Sequence, residues 1–173
     1  MKTYKKNFDL LKKNNVYSED MEHDACGVGL IASTEGKKSR SVVEYGIEAL
    51  KAVWHRGAVD ADGKTGDGAG IHVEIPKDFF IEKIEVTGHT HDNSEICVGM
   101  IFLPRNDYAA QESCKTIVES ELTKNDFNIY GWRQVPVNPK VLGEKAFQTM
   151  PEIIQVLFKP HNKELTNKDL ERK

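Results

Sequence analysis

Cys26 heads the segment Asp24-Ala25-Cys26-Gly27-Val28-Gly29-Leu30, and a stretch with helical periodicity separates it from His55-Arg56-Gly57. These residue types can build a nucleophilic site. With residues 1–25 removed, Cys26 would carry a thiol and a free α-amine on one residue. An α-amine, with a reference pKa of about 8, takes a thiol proton near neutral pH without a histidine. As written, the Ala25–Cys26 peptide bond caps that amine, so the nucleophile is expected to be latent until the leader is cleaved. Gly27 and Gly29 leave room for a substrate beside the backbone. Arg56 has two readings: it caps the carbonyl end of the preceding helix, or it holds the nucleophile region in place. His55 is a conventional base, but the α-amine already fills that role. Taken alone, Cys-Gly-Val-Gly favours an inert buried thiol over a nucleophile.

The segment Asp60-Ala61-Asp62-Gly63-Lys64-Thr65-Gly66-Asp67-Gly68-Ala69-Gly70 has no apolar period. It matches neither a P-loop nor an EF-hand, whose sixth and twelfth positions would here be Thr65 and Ile71. Its glycine spacing is not that of a dinucleotide site. It reads as a flexible loop beside an active site. His89, His91, Cys97 and Cys114 follow no zinc spacing and read as surface histidines and core cysteines. No metal or cofactor site is expected within the chain.

The 173 residues suffice for one domain with a core. The 24 basic and 27 acidic side chains leave a net charge of −3, and neither sign dominates. That balance marks no nucleic-acid or membrane surface. No apolar run reaches the length of a membrane span. The N-terminus has no signal-peptide apolar segment. Three cysteines at wide spacing make no disulfide framework and fit a reducing cytoplasm.

Elements must position these residues. Composition changes at Cys26, which divides a polar leader, 1–25, from a domain, 26–173. Strands are expected over 26–33, 71–75, 95–103, 127–137 and 151–158. A turn is expected at 34–38. Ser41 and Glu44 form a capping-box signature for a helix bearing Val43, Ile47, Leu50 and Trp54 on one stripe. Further helices are expected over 78–84 and over 107–122, the latter with Ala110, Cys114, Ile117 and Leu122 inward, and another begins at 167–170. This order favours a layered α+β or αββα arrangement over a parallel sheet.

Together, Cys26-Gly27-Val28-Gly29, the helix leading to His55-Arg56-Gly57-Ala58, the Asp-Gly-rich loop and Gly131-Trp132-Arg133-Gln134-Val135-Pro136-Val137 resemble the class II glutamine amidotransferases. The resemblance, over roughly 24–159, is to the branch found at the N-terminus of glutamate synthase large subunits. It implies an α+β fold, the N-terminal-nucleophile αββα sandwich, present here incompletely because later strands are missing. It implies that residues 1–25 are a propeptide and that Cys26 attacks the side-chain amide of glutamine. Arg56 would position the nucleophile end of the site, with Gly27 and Gly57 as substrate-binding positions. It also implies a longer protein with a synthase domain, FMN and an iron–sulfur cluster, together with a reductase small subunit. This chain contains no Asn-Gly dipeptide, the pair with which the family stabilises the oxyanion, and lacks the later arginine motif for the glutamine carboxylate. By itself it is therefore expected to be nearly inactive, and its exposed sheet edges to favour a homo-oligomer. Two other readings stand beside this one: another N-terminal-nucleophile amidase, and a non-catalytic α/β interaction domain.

Overall fold

A computed structural model describes residues 27–161 together with Leu10 and Lys13. The rest of the leader, Cys26 and the helix start at 167–170 lie outside the described residues. The chain divides into two units, Met1–Gly57 and Ala58–Lys173.

In the N-terminal unit, residues 27–33 join no ladder, although a buried strand was expected there. A strand needs a neighbour for its backbone N–H and C=O groups. None is paired with it among the described residues, so Val28 and Leu30 stay exposed. The expected turn forms: the Gly36 amide donates to the Ser33 carbonyl at 3.2 Å. Helix α1 spans Arg40–Ala52 and is capped by Ser39, not Ser41. The Ser39 hydroxyl accepts from the Ser41 amide at 3.2 Å, which places Ser41 inside the first turn. Glu44 reaches back to Arg40 at 3.3 Å, so the expected capping box does not form. Val43, Ile47 and Leu50 are half-buried as expected, but Trp54 is exposed. The cause is a change of period. The helix tightens into a 3-10 turn, Trp54–Arg56, and three residues per turn carry Trp54 off the stripe.

In the C-terminal unit, residues 71–75 join no ladder among the described residues; Ile71 and Val73 remain exposed, while Ile75 packs against the core. Pro76 then starts α2, Lys77–Val86, where its missing N–H costs the helix nothing. Three strands follow: β1 (Cys97–Leu103), β2 (Phe127–Gln134) and β3 (Glu152–Pro160). They form one antiparallel sheet in the order β1-β3-β2. Both edge strands run opposite to β3, so they are parallel to each other and need a crossover. Helix α3, Tyr108–Lys124, supplies it, capped by the Asp107 carboxylate on the Ala110 amide at 2.9 Å.

The central strand carries a continuous buried run, Ile154–Leu157, because both its faces are covered. On one face Leu157 and Tyr130 pack with Phe80 and Ile84 of α2 and with Ile96. On α3, Gln111 is buried and Cys114, Val118 and Leu122 are half-buried. Ile117, expected inward, is exposed. Gln111 can be buried because its amide donates to the Pro104 carbonyl at 2.7 Å. β2 carries a bulge between Ile129 and Gly131. Gly131 adopts a φ of 148°, and a Cβ there would stand 3.0 Å from the Thr87 methyl, so a side chain is excluded twice. The ladder ends near Pro136, which has no N–H to donate. The architecture of the described residues is α+β with one three-stranded sheet.

Candidate active site

Gly27 is exposed. Arg56 contributes its backbone to the 3-10 turn Trp54–Arg56, and Gly57 closes that turn by donating to the Trp54 carbonyl at 3.0 Å. The φ of Gly57 is −84°, and a Cβ would sit 3.4 Å from the Trp54 oxygen, so the local backbone does not require glycine. His55 donates Nδ1–H to the Ala52 carbonyl at 3.1 Å, which leaves Nε2 as its free ring nitrogen. Thus Gly27, Arg56 and Gly57 all fall in the N-terminal unit.

The segment after Gly57 is not the flexible loop that its composition suggested. Val59 and Gly66 form a β-bridge, and the Asp60 amide donates to the Thr65 carbonyl at 2.7 Å. At the root, the Ala58 amide donates to Asp67 Oδ2 at 2.9 Å and the Asp67 amide to the Ala58 carbonyl at 3.2 Å. The tip is folded around one carboxylate. Asp62 Oδ1 accepts from the amides of Lys64 (2.9 Å) and Thr65 (2.7 Å), and Oδ2 accepts from Thr65 Oγ1 (2.6 Å). Asp62 Oδ2 also accepts from the Glu144 amide at 3.1 Å, 82 residues away. These donors hold the Asp62 carboxyl at a pKa of about 2, with the Thr65 hydroxyl the largest cause, then the Thr65 amide.

The partner segment is a short helix, α4, Glu144–Thr149, which begins after Gly143 without a side-chain cap of its own. Asp62 supplies the missing acceptor from the hairpin. Lys145 Nζ adds an ion pair to Asp60 Oδ2 at 2.5 Å. Gly143 is buried, and a Cβ there would lie 2.1 Å from Thr65 Oγ1 and 2.3 Å from Asp62 Oδ2. Neither Asp62 nor Gly143 was singled out from the sequence. The legible signal was Asp62-Gly63-Lys64-Thr65, an Asx-turn pattern with its hydroxyl donor three residues on.

The two cysteines among the described residues are free. Burial, and then the charge of Glu95, push the Cys97 thiol above its ordinary range, which makes it a poor nucleophile. His89 is exposed, and its Nδ1 lies 3.1 Å from Thr87 Oγ1; both His89 and His91 flank the Tyr130 ring. Among the described residues no group of three or more His, Cys, Asp or Glu could hold a metal ion. No helix among them is long and apolar enough to cross a membrane.

The chain is 54% identical to the large chain of the NADPH glutamate synthase of Azospirillum brasilense, over 97% of this chain and 11% of that protein. It is 39% identical to ferredoxin-dependent glutamate synthase 2, chloroplastic, of Arabidopsis thaliana, over 88% of this chain and 10% of that protein. It is 35% identical to the NADH glutamate synthase of Saccharomyces cerevisiae, over 86% of this chain and 7% of that protein. The chain thus spans about a tenth of the length of the curated relatives it matches. The family model of the class II glutamine amidotransferases matches residues 26–173, and the chain belongs to that family.

Proposed function

We propose that this chain is the N-terminal, nucleophile-bearing part of a glutamate synthase, in which it releases ammonia from glutamine for use elsewhere in the longer protein. The observation that carries this reading is the family match beginning at Cys26, together with the 54% identity to a glutamate synthase large chain. That relative is matched over 97% of the chain, so most of the segment before Cys26 has a counterpart in it. This supports residues 1–25 as a propeptide.

Once Ala25 is cleaved away, the Cys26 α-amine takes the thiol proton. Sγ then attacks the side-chain amide carbon of glutamine. The tetrahedral adduct collapses with transfer of that proton to the leaving nitrogen, giving ammonia and a glutamyl thioester. Water, deprotonated by the same amine, attacks the thioester carbon and releases glutamate and the thiol. Arg56 positions the nucleophile end, and Gly27 and Gly57 leave room for the substrate. FMN and an iron–sulfur cluster would serve the synthase step of the longer protein.

Intact mass tests the processing: the active protein is expected to lack residues 1–25. A glutamine-analogue electrophile is expected to label the processed protein once, at Cys26, and to leave a Cys26→Ala variant unlabelled. Labelling at Cys97 or Cys114 instead would overturn the assignment.

A further inference from the structure

Helix α4 is held in place without a core of its own. It has six residues, and none of them is buried. A helix this short is unstable in water unless tertiary contacts hold it. Here those contacts are polar and come from two sides, both within the C-terminal unit. At the start of the helix, the Asp62 carboxylate accepts from the Glu144 amide at 3.1 Å, and Asp60 pairs with Lys145. The fit there is close: Gly143 is buried, and a Cβ on it would lie 2.5 Å from the Thr65 amide nitrogen. Further along, Arg105 of the β1–α3 connection donates from Nη1 to the Phe147 carbonyl at 3.1 Å. Its guanidinium also lies over the Phe147 ring, 4.6 Å from the centroid.

The helix also walls a cleft of about 470 Å³, with residues 102–106 on one side and residues 148–151 on the other. Immediately beyond it the chain enters β3, whose central run Ile154–Leu157 is buried. Two neighbouring segments thus differ in what holds them: polar clasps for α4, apolar burial for β3. Local opening starts where few buried apolar contacts must be broken. We propose that α4 is a strap, held shut by the Asp62 and Arg105 clasps, that opens as a unit while the sheet stays folded. Its opening removes one wall of the cleft. This holds whether or not the chain acts on glutamine.

The test is hydrogen exchange read by mass spectrometry on the full-length protein that carries this segment. Peptides covering 144–149 and 154–157 are compared in the parent, in Asp62→Ala, in Arg105→Ala and in the double variant. Each single variant loses hydrogen bonds to a charged group, so exchange over 144–149 should quicken by roughly ten-fold, and further in the double variant. Exchange over 154–157 should not change. Unchanged exchange over 144–149 in the double variant overturns the proposal. Quickening of both segments together also overturns it, since α4 would then open only with the sheet. If only one single variant quickens exchange, α4 is not held by two clasps and the proposal fails in that form. Asp62→Asn, which keeps one acceptor oxygen, carries the test if Asp62→Ala fails to fold.

Discussion

Asp62 does what a longer stretch of secondary structure usually does, because its two oxygens meet four donors within 3.1 Å. Hydrogen bonds to a carboxylate favour its charged form, and this moves the carboxyl down from its usual 3.8 to about 2. The sign follows directly. A group whose folded pKa is depressed contributes stability above its unfolded value, and loses it as pH falls through the folded one. The hairpin should therefore be fully latched at pH 5 and released between about pH 4 and pH 2. A carboxyl-carbon NMR titration should place Asp62 near 2, below the ordinary aspartate value of 3.8, and Asp62→Asn should flatten the pH dependence of Thr65 amide protection over that window. A titration of Asp62 at the ordinary value would contradict the hydrogen bonding described. Cys97 shows the opposite sense of tuning: burial keeps its thiol protonated, so of the described cysteines it is not fitted to nucleophilic work.

Among the elements, the central strand and its two covering helices hold the C-terminal unit together. Leu157 is fully buried between α2 and both edge strands. Replacing it with alanine leaves a cavity in a packed region, so Leu157→Ala should cost about 2–5 kcal/mol in denaturant unfolding. The α1 cap offers a smaller effect. Ser39→Ala removes the acceptor for the Ser41 amide and should cost about 1 kcal/mol, whereas Ser41→Ala should cost less, since Ser41 is not the cap. If Ser41→Ala proved the more damaging change, the helix would start where its capping-box pattern suggested. Local patterns placed β1, β3, α2 and α3 within a few residues because each has a clear period. They misjudged the inner face of α3, where Ile117 points out and Gln111 in. An amide that finds a carbonyl partner competes successfully with an isoleucine for a place at the sheet, and periodicity is blind to that partner.

For the molecule as a whole, the chain covers only a tenth or so of each relative's length, and its sequence contains no Asn-Gly pair to stabilise the oxyanion. Glutamine hydrolysis by the 173-residue chain alone is therefore expected to be near background, even after residues 1–25 are removed. A steady-state assay showing normal turnover would mean that oxyanion donors exist within this chain. Within each unit, the apolar segments 27–33 and 71–75 form no strand among the described residues. Both have the composition of strands, yet a strand is stable only beside a neighbour.

The amino-acid sequence alone pointed to the family through its resemblance to known class II amidotransferases at Cys26-Gly27-Val28-Gly29, His55-Arg56-Gly57 and the Asp-Gly-rich stretch. It also placed most of the regular elements, since helix and strand periods are local. What it did not show was that the Asp-Gly-rich loop is a clasped hairpin. That depends on Asp62 meeting an amide 82 residues away and on a glycine leaving room for the contact. Long-range hydrogen bonds and close backbone approach have no local period, so only the folded chain reveals them.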